Sequence, residues 1–117
     1  MLFRSDLFGR AFEHFVINEV RAYLAYRHHA HGLSFWKTSS GFEVDLIVGP
    51  ALLAIECKAS LRVTGHDLKG LRAFKEEQRV RRAIVVSREQ EPRTTDDGIE
   101  IMPWRDFCRL LWDDRLL

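Results

Sequence analysis

Asp45, Glu56 and Lys58 have the residue types and the spacing to hold a cation and move a proton. They lie in GFEVDLIVGPALLAIECKAS, from Gly41 to Ser60, which reads as two short apolar strands around a Gly49-Pro50 turn. Side chains alternate along a strand. Glu43, Asp45 and Ile47 therefore share one face of the first strand, and Val44, Leu46 and Val48 the other. In the second strand Leu52, Ala54, Glu56 and Lys58 share a face, opposite Leu53, Ile55 and Cys57. A connecting loop of two or four residues sets Asp45 against Ala54 or Glu56, and either register gathers Asp45, Glu56 and Lys58 on one face. An odd loop length would separate them. Carboxylates directly or diagonally opposite approach to roughly 5–8 Å at Cβ.

Three acids on a half-buried face repel one another, and desolvation worsens the repulsion. One lysine cannot neutralise Glu43, Asp45 and Glu56 together. A divalent cation could, and hard oxygen ligands suit Mg²⁺ or Mn²⁺. The alternative is a strand edge with solvated charges and a Glu–Lys ion pair.

The rest of the chain sets bounds on these readings. Its 117 residues, 46% of them hydrophobic, fit one compact domain over 1–117. A net charge of +1 is no general signature for nucleic acid, so DNA binding would need a local basic patch. Cys57 and Cys108 give neither a disulfide framework nor zinc spacing. His28, His29 and His31 sit at a helix end with no cysteine or second histidine pair to complete a zinc set. The N-terminal MLFRSDLFGR lacks a signal-peptide core and no run reaches membrane-spanning length, which makes the cytoplasm the default expectation.

A helix is expected from about Asp6 to His28, capped by Ser5 or Asp6. Glu13 shares a stripe with Ile17, Val20 and Leu24 and so points toward the core side, with Glu19 as its rival. Gly9, one turn earlier, would allow close packing against the sheet or a phosphate. LSFWKT (33–38) reads as a strand and His66–Arg79 as a helix with Leu68, Leu71 and Phe74 inside. AIVVS (83–87) reads as a fully buried parallel strand, 88–98 as a polar loop and 99–102 as a short strand. Pro103 opens a last helix in which Trp104, Phe107, Cys108, Leu111 and Trp112 line one face. The class is α/β: a mixed four- to five-stranded sheet flanked by helices, with a C-terminal helix.

This order, with Asp45 and Glu56-x-Lys58 on the second and third strands, resembles the PD-(D/E)XK superfamily and its restriction-endonuclease-like αβββαβ core. FGRAFEHFVINEV, FWKTSSGFEVDLIV, AIECKAS, HDLKGLRAF, AIVVS and DGIEIMPWRDF resemble in particular the uncharacterised C-terminal domain of prokaryotic AAA-type ATPases. The resemblance runs from about Phe8 to Trp112. It implies that Asp45 and Glu56 are metal ligands, with Lys58 as the activating lysine and Glu13 as the acid that the first helix adds. Val44 stands where many of these nucleases have proline, and no G-x-x-x-x-G-K-[ST] phosphate loop is present. With Met1 opening the domain, the chain reads as a free-standing copy, a fragment or an excised piece.

The expected function is a metal-dependent DNA nuclease, endo- or exodeoxyribonuclease, that hydrolyses phosphodiester bonds. Mg²⁺ or Mn²⁺, held by Asp45, Glu56 and the Cys57 carbonyl, would activate water. Lys58 would orient or deprotonate that water, or stabilise phosphate charge. Lys37, Arg62, Lys69 and Arg72 would touch DNA phosphates. Further partners are an AAA-type ATPase domain, in trans or in a longer parent chain, and a second copy of the chain. The competing reading is a catalytically weak or inactive nuclease-fold module that binds DNA or protein as the ATPase's C-terminal appendage. Retained acids favour the enzyme, because unmetallated carboxylates repel phosphate.

Overall fold

The apolar strand runs and amphipathic helices assemble into three layers in a computed structural model, which describes the backbone from residue 2 and side chains from residue 6. In chain order the elements are α1 (Leu2–Tyr26), β1 (Leu33–Lys37), β2 (Glu43–Val48), β3 (Leu53–Lys58), α2 (Lys69–Glu77), β4 (Arg82–Ser87), β5 (Arg93–Thr94), β6 (Glu100–Pro103) and α3 (Trp104–Trp112). A 3₁₀ turn over Gly65–Leu68 leads into α2. The sheet has six strands in the order β1-β2-β3-β4-β6-β5. The outer pairs are antiparallel, whereas β3, β4 and β6 run parallel.

Each sheet face buries its own core. Val16, Val20 and Tyr23 of α1 and Phe107 and Leu111 of α3 pack on Leu53, Ile55 and Ile84. On the other face Leu71 and Phe74 of α2 pack on Ala54, Val85 and Ile101. The Ala83–Ser87 run is buried throughout, as a parallel strand covered on both faces requires.

Several boundaries differ from the expectation. α1 reaches back to Leu2, so Asp6 lies inside it and caps nothing, while the Ser5 side chain lies outside the described ones. Its end comes at Tyr26, and His28 turns the chain with a positive φ of 57°. The 88–98 loop contains the short β5, because Arg93 and Thr94 pair with Ile101 and Glu100. The 66–79 helix is shorter, its first turn being 3₁₀.

The most consequential departure is a bulge in β2. Ser34 pairs with Ile47 and Trp36 with Val44, so β2 carries one residue more than β1 over that span. Strict alternation therefore breaks between Val44 and Leu46. Val44 joins Ile47 on the α2 face, while Leu46 and Val48 face α1 and α3. Asp45 sits at the break, between the two faces.

Close packing occurs at Gly70, not at Gly9, beside which nothing among the described residues stands within 4 Å of an added Cβ. A Cβ on Gly70 would overlap the Glu43 carbonyl oxygen. α2 thus lies directly on the backbone of β2, where flexible side chains cannot make room. Gly70→Ala is expected to lower the urea unfolding free energy by about 1–3 kcal/mol through forced displacement of α2. An unchanged unfolding midpoint would show that α2 does not press on β2.

Candidate functional site

The β2–β3 ladder pairs Val48 with Leu53, Ile47 with Ala54 and Leu46 with Ile55, leaving residues 49–52 as a four-residue connection. Continued by one step, this register sets Asp45 against Glu56. At that point the strands part, and side chains complete the pairing. The Cys57 N–H donates to Asp45 Oδ2 at 2.8 Å, and the Asp45 N–H donates to Glu56 Oε1 at 3.1 Å. Each carboxyl thus accepts from one backbone amide of the fork. Lys58 Nζ lies 3.2 Å from Glu56 Oε2.

Because the bulge leaves Asp45 between the faces, it also meets α1. The Glu13 carboxyl comes within hydrogen-bonding reach of Asp45. Glu19 is turned elsewhere, its Oε1 accepting from the Trp112 indole N–H at 3.1 Å. The structure thus brings Glu13, Asp45, Glu56 and Lys58 together as a chain, with Asp45 in the middle.

The electrostatics follow from burial. Glu56 is only 5% exposed. Burial first, then the Asp45 charge, push its carboxyl up to about 8, against the pull of Lys58. Burial and Asp45 also raise Glu13. Burial alone would lower the Lys58 ammonium, but Glu56 beside it holds the net shift upward. The Cys57 thiol is pushed up by burial and by the surrounding acids.

These facts correct the metal expectation. Among the described residues, no group of three or more His, Cys, Asp and Glu side chains is arranged to hold a metal ion. Asp45 and Glu56 spend oxygens on the Cys57 and Asp45 amides, and the second Glu56 oxygen faces Lys58. With its carboxyl pushed to about 8, Glu56 holds a proton that a metal would have to displace. Cys57 contributes an amide to Asp45 and a half-buried side chain to the α1–α3 core, not a metal-binding set. The expected Mg²⁺ or Mn²⁺ cofactor, and with it the metal-dependent deoxyribonuclease, is not supported by this arrangement. A proton, a lysine and two amides answer the repulsion that a cation was invoked to relieve.

Two clefts meet at Lys58. One, of about 320 Å³, is lined by Glu43, Glu56, Lys58, His66, Asp67 and Lys69 among others. The second, of about 680 Å³, runs beside Arg10, Glu13, Ser60 and Arg88. Of the expected phosphate contacts, Lys69 borders the first cleft, whereas Arg72 is held by Asp97 at 2.8 Å. Lys37 and Arg62 are exposed and line neither cleft. Arg10 and Arg88 were missed in the sequence. Arg88 follows the buried β4 directly and could have been found as the first charge past the carboxyl end of a parallel strand.

The family model that matches the chain is a domain of unknown function, DUF4143, over residues 8–107. The chain belongs to this family. No curated protein and no solved structure matches it. The DUF4143 chain has an α/β, nuclease-like arrangement of its elements. Among the described residues, no helix is long and apolar enough to cross a membrane.

A carboxyl whose folded pKa lies above its unfolded value binds an extra proton in the native state between the two. Stability from Glu56 is therefore full below the ordinary value of 4.5 and is lost as pH rises toward about 8, with Glu13 acting in the same direction. Glu89, held at about 2 by Arg93, acts in a separate window, losing its contribution as pH falls below 4.5. Urea unfolding should show a stability decline of roughly 2–4 kcal/mol from pH 5 to 9. Glu56→Gln should flatten it. Parallel curves for the two proteins would remove the proton from this account.

Proposed function

We propose that this DUF4143 chain is a PD-(D/E)XK-type module, one domain over 1–117, whose residual active-site position no longer supports metal chemistry. It acts as a binding appendage, for DNA or protein, of an AAA-type ATPase joined in a longer parent chain or met in trans. Glu13, Asp45, Glu56 and Lys58 are assigned to the residual site. There they hold the β2–β3 fork together and fix Lys58 between the two clefts. The observation that carries this reading is the Asp45–Glu56 pair, three of whose four carboxyl oxygens meet the Cys57 amide, the Asp45 amide or Lys58. Support for the overall plan comes from the sheet order and from α1, α2 and α3 covering its two faces.

The ion that would restore chemistry is also the test. Mn²⁺ or Mg²⁺ at about 1 mM should leave the melting temperature unchanged, because a ligand stabilises only what it binds. Duplex, single-stranded and flap DNA should be cut no faster than by the Lys58→Ala control. A metal-induced rise that Asp45→Ala abolishes, together with cleavage that Lys58→Ala abolishes, would overturn the reading.

A further inference from the structure

Beside the carboxylate chain, the first turn of α3 approaches the N-terminal half of α1. Phe8, Phe12, Phe15 and Trp104, with Arg88, line a groove of about 290 Å³ between them. Phe15 meets Trp104 edge-on at 5.7 Å, which fixes the groove wall. Phe8 is 47% exposed and Phe15 39%, although both rings stand on a helix whose inner face is fully packed. Clustered exposed aromatics of this kind mark a surface that another molecule covers.

The groove's own lining carries one cation, Arg88, and no acid. Arg88 lies over the Phe8 ring at 4.9 Å and Arg105 over Trp104 at 5.1 Å. Neither has a carboxylate partner among the described residues. Of the acids bordering the adjoining depression, Glu89 is paired with Arg93 at 2.8 Å and Asp106 with Arg109 at 3.8 Å, whereas Asp6 and Glu13 stand in the cleft on the other side of Phe8 and Arg88. An adjoining depression runs from Trp104 past Leu61. Both lie at the carboxyl ends of β4 and β6, where open α/β sheets take their ligands.

We propose that this groove docks an acidic protein segment carrying an apolar anchor. The apolar side chain enters the slot that Phe8 and Phe12 form with the Phe15–Trp104 wall, and flanking carboxylates pair with Arg88 and Arg105. This rests on the binding-module reading and names its partner class. Protein is favoured over single-stranded nucleic acid because guanidinium groups already cover faces of Phe8 and Trp104, leaving an apolar slot rather than open rings for stacking bases.

The full chain is titrated, by fluorescence anisotropy, into a labelled peptide of about 14 residues alternating Glu with Leu and Phe. The same peptide with Lys for Glu, and an oligothymidylate of similar length, are the comparisons. At ~50 mM salt the acidic peptide should bind at least about tenfold more tightly than either, and weaken as salt rises. The exposed double change Arg88→Glu, Arg105→Glu should cost at least about tenfold with a melting temperature near that of the parent, and Phe15→Ser a similar factor. No binding of the acidic peptide, equal binding of the lysine peptide, tighter binding of the oligonucleotide, or indifference to the variants would overturn the proposal. Absent peptide binding without metal-dependent cleavage removes this surface and leaves the module reading intact. Metal-dependent cleavage removes the module reading, while the peptide titration still decides the surface.

Discussion

Two backbone amides at the fork of β2 and β3 set the terms for the rest of the site. Past Leu46 and Ile55 the paired register ends, and the N–H groups of Asp45 and Cys57 find side-chain acceptors instead of strand carbonyls. An unpaired buried N–H costs on the order of 1–3 kcal/mol. Glu56 and Asp45 each reach across and accept one of them. The acids are thus structural acceptors first. Their proximity, which repels, is a consequence of closing the fork from both sides. Lys58 offsets part of that repulsion and the proton on Glu56 offsets more.

Neighbouring elements make the fork permanent. The extra residue in β2 turns Val44 toward α2 while Leu46 stays with α1 and α3. Gly70 lets α2 sit on the Glu43 carbonyl and hold the diverging end of β2 in place. On the opposite face, α1 and α3 are locked by Phe15 on Trp104, Tyr23 on Trp112 and the Glu19–Trp112 hydrogen bond. That packing fixes the rotation of α1, delivering Glu13 to Asp45 and leaving Phe8 and Phe15 outside. The carboxylate chain and the aromatic groove are thus two results of one helix placement.

Much of this was legible in the residues. Alternation and the Gly49-Pro50 turn located the β2–β3 hairpin, and its even loop placed Asp45 beside Glu56. The unbroken AIVVS run marked β4 as a parallel interior strand. The α3 template held, with Phe107 and Leu111 fully buried. The bulge was not legible, because one extra residue in β2 depends on its partner β1 and leaves no mark on the strand's own pattern. β5 was hidden for a similar reason: Arg93 and Thr94 become strand only by pairing with β6. The metal inference failed on a physical point. Counting charges by residue type makes every acid an anion at neutral pH, yet burial and a neighbouring carboxylate leave Glu56 neutral there. Hydrogen bonds from amides, which a sequence does not display, then occupy one oxygen of Asp45 and one of Glu56.

Asp45 and Glu56 crowd together around a proton that Glu56 retains, not around a metal. Carbon-13 NMR of the glutamate side-chain carboxyls, titrated from pH 4 to 10 with and without Mg²⁺, tests this most directly. Glu56 should give a resonance that titrates near pH 8, where an ordinary glutamate titrates at 4.5, with a midpoint indifferent to the ion. Glu56→Gln assigns the resonance by deleting it. A Glu56 midpoint near the ordinary value, or one driven down by Mg²⁺, would contradict the account.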